Sequence, residues 1–566
     1  MKFIFSTILI LFGLTLFAQD KFWVFLSDKD GVEFDPMTYF DAKAIERRLK
    51  HDLPLVEESD KPLRTDYFNA VNILSDTVSG HSRWFNAMAV VVSSEAQLQA
   101  IQSLPFVVDV VPMVSQSYLA EELVGGLKNG EKSVLKGQIN WMQGEKFKAA
   151  NITGKGVRIC IIDAGFPGVD VAEEFAHIRK RKGIIATWDF HKNNSQVYKF
   201  NSHGSTVLSC IAGITSNGEN VGMATGAEFL LARTERMLKE GLSEEEDWLM
   251  AVEWADKNGA DIINSSLGYT TSLYFKENMD GKTALITRAG NMAAHKGILV
   301  VNASGNEGDG YWKYVGAPAD ADSVLTVGGI NPWTGIHTSF SSYGPTADMR
   351  MKPNVAAYGH VIAYGFRTGL HETQGTSFAS PLVAGFAACV LQKDSSLKVM
   401  DLFKKLESSS NLYPYYDYAH GFGVPQASNI LEEVEKAPKT VELKIIWDSL
   451  FVDILPEYYE MNDQVVINYH SKFIGKKSPD NMHMVDSFIS DDSNTKQEQP
   501  NYLFYKVSTK DGLIKEYSVI ASQKMNVLKK VIKNNNNYIF TVWYKGYTTS
   551  IVIEKEKQAK KEGGNE

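Results

Sequence analysis

The segment Gly375-Thr376-Ser377-Phe378-Ala379-Ser380-Pro381 and the apolar, alanine-rich run Leu382 to Leu391 behind it constrain this chain most. A run with no polar face reads as a helix enclosed on every side. The Gly-Thr turn sets Ser377 at the mouth of that helix. Free N–H groups and the positive end of the helix dipole converge there. That position suits a nucleophile whose attack creates an oxyanion. It also suits a serine that merely caps a core helix, so the rest of the chain must decide.

Upstream, Val157-Arg158-Ile159-Cys160-Ile161-Ile162-Asp163-Ala164-Gly165 is an apolar run of strand length that ends in a carboxylate and a glycine turn. At the carboxyl end of a parallel strand such an aspartate can be buried and orient a histidine. Forty residues on, His203-Gly204 opens another apolar, helix-like run, Ser205-Thr206-Val207-Leu208. Gly297 to Asn302 reads as a buried strand, and Ala303-Ser304-Gly305-Asn306-Glu307-Gly308 follows it. The Asn306 amide can donate to an oxyanion beside the Ser377 backbone N–H. Orienter, base and nucleophile thus fall in the order Asp163, His203, Ser377.

These boxes resemble the subtilases, the subtilisin-like serine endopeptidases, over roughly residues 135 to 432. The order of the three residues is the subtilisin order, and the spacings of 40, 103 and 71 residues are close to the family's. The resemblance implies that Asp163 orients, His203 is base and then acid, Ser377 attacks and Asn306 completes the oxyanion hole. It further implies a cleft with Ser266, Leu267 and Gly268 on one wall and Ala303, Ser304 and Gly305 on the other. Gly316-Ala317-Pro318 resembles the turn at the pocket floor, with Ala317–Pro318 a candidate cis bond.

Three positions depart from the family. Ala164 stands where Ser or Thr is usual. Lys352 to Gly359 carries Asn354 and Tyr358 where Asp and Pro are usual. The loop Thr215 to Asn220 is short for the calcium-binding bulge of many subtilases. Asn217 and Glu219 could offer oxygen ligands, but the motif does not support a structural calcium, and no metal ligand set is assigned. The chemistry requires no cofactor.

The other segments bound the setting. Lys2 precedes an apolar run from Phe3 to Phe17 that ends Leu16-Phe17-Ala18-Gln19. This is a signal-peptide pattern, too short for a comfortable membrane span. It predicts a secreted or cell-envelope protein, periplasmic or at the cell surface. Residues 19–112 read as a small α+β unit, with strands at 22–25, 83–92 and 106–111 and helices at 39–49 and 94–104. A strand–helix–strand end placed before a protease resembles the ferredoxin-like subtilase propeptide, a chaperone and inhibitor. Residues 113–134, with Gly125-Gly126 and Gly130, are the candidate linker and maturation region.

Ser243-Glu244-Glu245-Glu246 reads as a capping box for an amphipathic helix bearing Trp248, Val252 and Ala255. Residues 437–566 read as a β-rich domain of sandwich type with a charged tail, its strands at 441–447, 464–469, 502–507 and 538–544. That domain faintly resembles the C-terminal sorting domains of some Gram-negative secreted proteins. Three cysteines, Cys160, Cys210 and Cys389, are too few for a disulfide scaffold and sit in apolar runs. A net charge of −9 without an extreme block argues against nucleic acid as a partner.

The sequence therefore predicts an α/β peptidase domain over 135–436 with a mainly parallel sheet, flanked by a propeptide-type and a β-sandwich-like domain. The resemblance implies protein or peptide substrates, with the chain's own propeptide as inhibitor. Glu307 at the pocket rim permits a basic preference, but its neutral neighbours predict a broad or apolar one. The alternative reading is a surface-binding or adhesion protein that uses the C-terminal domain, its protease fold serving only self-processing.

Overall fold

The computed structural model describes residues 20–113, 117–118, 122–123, 131–235, 244–270, 274–433, 436–446, 449–458, 468–472, 502–520, 524–528 and 538–553. The signal-peptide pattern, Gly125-Gly126 and Gly130 of the linker region, Ser243 of the capping box and the charged tail lie outside them. The chain divides into two compact units, residues 1–36 with 56–115, and residues 37–55 with 116–566.

The smaller unit is a four-stranded antiparallel sheet in the order Thr77–Ser82, Ala87–Val92, Asp20–Leu26, Val107–Pro112. Helices Thr65–Leu74 and Glu95–Gln102 complete a split β-α-β pattern, the ferredoxin-like arrangement. Alternate residues Val24 and Leu26, then Met88, Val90 and Val92, fill its core with Val71 and Ile101 of the helices. Ser94 caps the second helix, accepting from Gln97 N at 3.3 Å. The strand expected from Arg83 starts only at Ala87, because Asn86 turns back in the left-handed region, its N–H reaching Arg83 O. The helix Thr65–Leu74 and the strand Thr77–Ser82 are additional to the sequence expectation.

The larger unit is built on seven parallel strands. Their order is Val355–Tyr358, Val324–Ile330, Leu299–Ala303, Ile262–Ser265, Arg158–Asp163, Glu228–Arg233, Ile184–Asp189. Every residue of Arg158–Asp163 is buried, as a parallel strand covered on both faces requires. Ile159, Ile161, Ile262, Leu299 and Val301 pack with helices His203–Ala212 and Thr376–Lys393 in one core. Their alternate neighbours face the other way, toward helices Glu244–Lys257 and Leu285–His295. Two hydrogen bonds mark the faces: Asn264 Oδ1 accepts from Ser380 Oγ at 2.9 Å, while the next residue's Ser265 Oγ accepts from Trp248 Nε1 at 3.0 Å. Cys160, Cys210 and Cys389 are buried free thiols.

The C-terminal region forms two antiparallel sheets. One joins Val441–Ile446, Ser449–Ile454 and Lys524–Leu528. The other runs Asn468–Lys472, Ile514–Ile520, Leu503–Thr509, Tyr538–Tyr544, Tyr547–Ile553. Leu503, Tyr505 and Val507 fill the space between the sheets with Leu450, Val452, Phe540 and Val542. Phe504 points the opposite way, into a cluster with Tyr415, Tyr416, Tyr418 and Tyr517. The β region thus shares an aromatic core with the end of the peptidase domain. No helix among the described residues is long and apolar enough to cross a membrane.

Candidate active site

The chain enters the parallel sheet at Arg158–Asp163, fills one side with Ile184–Asp189 and Glu228–Arg233, then crosses to Ile262–Ser265 and works outward. The reversal lies between Arg158–Asp163 and Ile262–Ser265. In open α/β sheets the crevice at such a switch point, at the strands' carboxyl ends, is where ligands bind. Asp163 ends one of the two strands and Ser266 follows the other.

Asp163 and His203 are both fully buried, and Asp163 Oδ1 lies 2.8 Å from His203 Nδ1. Ala164 N donates to the same oxygen at 2.7 Å, so a small residue after Asp163 serves through its backbone. Gly204 is required by crowding: a Cβ there would meet Gly165 O at 2.5 Å and Asp163 Cβ at 3.0 Å. Asn201 Oδ1 accepts from His203 N at 2.8 Å, fixing the helix start. Arg233, in register with Asp163 on the neighbouring strand, donates from Nε to Ala164 O at 3.1 Å and from Nη1 to Asp189 at 2.8 Å. It braces the turn that carries Asp163; only its place at a strand end could have signalled that role.

Ser377 is the second residue of helix Thr376–Lys393. Pro381, four residues on, has no N–H to give to the Ser377 carbonyl. The Ser266 hydroxyl donates to that carbonyl instead, at 2.9 Å, and Ser377 Oγ donates back to Ser266 O at 3.1 Å. Asn264 Nδ2 in turn holds Ser266 Oγ at 3.1 Å. The His203 ring stands 5.4 Å from the ring of Phe378, the residue after Ser377. The structure therefore gathers Asp163, His203 and Ser377 on two packed helices and one strand end.

Asn306 is held by Thr376, whose N–H and hydroxyl donate to Asn306 Oδ1 at 2.8 and 2.9 Å. Two donors on the oxygen fix the amide's orientation and turn its NH2 away from Thr376. Gly305 N reaches the same Thr376 hydroxyl at 3.3 Å. Gly305 has φ +108°, and a Cβ there would meet Ser342 Oγ at 2.7 Å. The walls are tied as well: Asn302 Nδ2 donates to Leu267 O at 3.1 Å, and Ser304 N to Val327 O at 2.9 Å. Asn302 and Thr376 are site residues that the sequence reading did not single out. Glu307, half-buried, has its carboxyl pushed up by burial and then by Asp309.

Gly268–Tyr269 is a two-residue strand with neighbours on both edges. On one edge Tyr269 exchanges both backbone bonds with Ala317, at 2.9 and 3.0 Å, and Ala317–Pro318 is cis. A Cβ on Gly316 would meet Tyr269 O at 2.8 Å, so this turn needs its glycine. The other edge is taken by the chain itself: Ser117–Tyr118 pairs antiparallel with it, Gly268 opposite Tyr118. Four residues further on, Glu122–Leu123 pairs antiparallel with Gln374–Thr373 of the strand that leads to Ser377.

A model of the subtilase family matches residues 154–423, and one of the Peptidase S8 propeptide domain, Bacteroidota, matches residues 21–123. Subtilisin DY of Bacillus licheniformis is 30% identical over 282 residues, half of this chain and 93% of that protein. The chain belongs to the subtilase family. The subtilisin of Bacillus pumilus is also 30% identical, over 46% of this chain and 85% of its own. A crystal structure of a cold adapted subtilisin-like serine proteinase superposes with a TM-score of 0.38 at 24% identity, covering 49% of this chain and 89% of that one. This subtilase is a serine endopeptidase with a propeptide domain ahead of its peptidase domain.

The loop Thr215 to Asn220 is closed by its own bonds. Thr215 N donates to Glu219 O at 2.8 Å, Gly218 N to Thr215 O at 2.9 Å, and Glu219 N to Thr215 Oγ1 at 3.0 Å. Among the described residues no group of three or more His, Cys, Asp or Glu side chains is placed to hold a metal.

Proposed function

We propose that Ser377 is the nucleophile of this subtilase, His203 its base and Asp163 the orienter, and that the chain is made as a secreted proenzyme. The Ser377 hydroxyl leaves Ser266 O and turns to His203, which takes its proton as Oγ attacks the scissile carbonyl. Buried Asp163 holds the ring and favours the imidazolium that forms. The Ser377 N–H and the Asn306 amide take the oxyanion. His203 then gives its proton to the leaving amine, and water repeats the sequence on the acyl-enzyme. No cofactor enters these steps.

One observation carries the proenzyme reading: Ser117–Tyr118 lies on the wall strand Gly268–Tyr269 and Glu122–Leu123 on the strand before Ser377. An extended peptide added to an exposed strand edge is how such clefts hold substrate. The chain occupies both sides of the nucleophile with its own backbone, inside the region matched as propeptide. Maturation then falls on one of the four peptide bonds between Tyr118 and Glu122. N-terminal sequencing of secreted wild type should find a start at Leu119, Ala120, Glu121 or Glu122. Ser377→Ala should stay uncut and unlabelled by a fluorophosphonate. A mature start elsewhere, or a labelled and processed Ala variant, refutes the reading.

A further inference from the structure

The propeptide match spans residues 21–123, yet residues 37–55 cluster with the peptidase unit. The reason is chemical. Asp41 caps helix Ala42–Lys50 by accepting from Lys43 N. The helix then drives two arginines into the ends of two peptidase helices, Glu244–Lys257 and Leu285–His295. Arg47, Arg48 and Asp256 are 3%, 0% and 0% exposed. Arg48 grips both oxygens of Asp256, Nη1 to Oδ1 at 3.0 Å and Nη2 to Oδ2 at 3.1 Å, with its other face on the Phe40 ring. Arg47 also pairs with Asp256 Oδ1, and it donates to three carbonyls: Ala260 O at 2.5 Å, Lys296 O at 3.1 Å and Asp256 O at 3.2 Å.

These acceptors form a built site. Asp256 O lies in the last turn of helix Glu244–Lys257, Ala260 O in the turn just past it, and Lys296 O at the C-cap of Leu285–His295; carbonyls at and beyond a helix C-terminus sit at the negative end of its dipole, so they favour a cation. Here two helix ends and one carboxylate converge on planar donors that match them, a recognition lysine cannot reproduce. Glycines at positive φ let the helix approach. A Cβ on Gly259, φ +72°, would meet Lys43 Cβ at 2.8 Å, and one on Gly297, φ +85°, would meet the His51 ring at 2.8 Å. Around the rim, Lys43 pairs with Asp261 at 2.9 Å, Arg158 with Asp41 at 3.1 Å and Lys398 with Asp52 at 2.5 Å.

The donors belong to the propeptide region and the acceptors to the peptidase. We infer that the ends of helices Glu244–Lys257 and Leu285–His295, with Asp256, are an exosite of the mature enzyme for paired arginines on a helix. Its first occupant is Arg47-Arg48 of the chain's own prosegment, which it retains after the cut. This rests on the reading that the chain is cut between Tyr118 and Glu122. Two attachments make rebinding of the cleft strand intramolecular, at high effective concentration. Cutting therefore does not free the cleft; activity waits until the arginines leave, and their departure exposes a carboxylate that was buried and paired.

The test compares two clocks on the full chain. Gel analysis follows the cut, and hydrolysis of a chromogenic peptide follows activity. In wild type, activity should lag the cut, with the prosegment co-eluting on size exclusion. Arg47→Ala with Arg48→Ala should shorten that lag about tenfold or more, through faster dissociation. Final activity per mature molecule should be equal, because the mature chain is the same. Should the double variant not fold, Arg48→Lys and Asp256→Asn are read for the same shortening. A lag unchanged in the folded variants overturns the exosite while leaving the proenzyme intact. A wild type whose activity appears with the cut itself, no prosegment retained, also overturns the exosite, whereas a wild type active uncut, or cut outside Tyr118 to Glu122, overturns the proenzyme reading beneath it.

Discussion

Asn306 and Thr376 offer a graded test of oxyanion stabilisation. Asn306→Ala removes one of the two proposed donors, and loss of such a donor costs about 10²–10³ in kcat, a magnitude established on subtilisin itself rather than derived from this geometry. Thr376→Val is the informative partner. It deletes the hydroxyl bond of 2.9 Å to Asn306 Oδ1, and with it the longer 3.3 Å bond from Gly305 N, but keeps the Thr376 N–H bond of 2.8 Å and the side-chain volume. A neutral hydrogen bond is worth a net ~0.5–1.5 kcal/mol. At ~1.4 kcal/mol per tenfold, the looser amide should lower kcat by about 2- to 12-fold. The loss should appear in kcat and kcat/KM together, with KM nearly constant, because the oxyanion exists only after attack. Steady-state hydrolysis of a chromogenic peptide by processed enzyme reads both parameters, and far-UV circular dichroism checks the fold. Wild-type kcat in Asn306→Ala, or a Thr376→Val effect confined to KM, would mean that this amide does not bind the oxyanion.

Two further outcomes follow from features away from the triad. Chelator should leave activity and melting temperature unchanged at moderate temperature, since the carbonyls of Thr215 and Glu219 already serve their own loop; a fall that calcium restores would locate an ion site here. Burial, and then the neighbouring His420, push the pKa of His337 down to about 3 from 6.5. Below about pH 6.5 the unfolded chain takes up a proton that the folded chain refuses until about pH 3, so stability is full above that window and falls through it with acid. In a Ser377→Ala background, His337→Phe should flatten the fall in melting temperature between pH 6.5 and 4, and parallel curves would refute it.

The parallel sheet was legible because its strands are buried on both faces and so read as unbroken apolar runs, Ile159 to Ile162 and Leu299 to Val301 among them. The C-terminal strands Ser449–Ile454, Ile514–Ile520 and Tyr547–Ile553 were less so. Tyr547–Ile553 has only its last residue buried, and little apolar pattern separates such a strand from a loop. The expected helix from Tyr39 begins at Ala42 because Asp41 supplies the cap and a separate short helix, Pro36–Tyr39, precedes it.

Within the site, Asp163, His203, Ser377 and Asn306 each carry a local signature: a polar residue at the end of an apolar run, with a glycine beside it or close to it. Their supports do not. Thr376 holds Asn306 across 70 residues, and Ser266 answers the carbonyl that Pro381 leaves open across 111. Each of these pairs exists only once the strands have lined up. Arg47 and Arg48 show the limit most clearly. In the sequence they are two basic residues near a helix end, the pattern of a solvated face. Their partner, Asp256, is 208 residues from Arg48 and resembles any acidic residue of an amphipathic helix. Neither side announces a site, because the site is made by two helix ends whose carbonyls every sequence possesses. Asp256 is one of several acceptors that Arg47 meets, the backbone carbonyls of Asp256, Ala260 and Lys296 among the others, so its substitution should weaken the arginine pair without erasing the site, whereas losing both arginines should erase its occupancy. That asymmetry lets the lag measured on Asp256→Asn be compared directly with the lag of the double variant: a shorter lag in the double variant is the order this geometry requires.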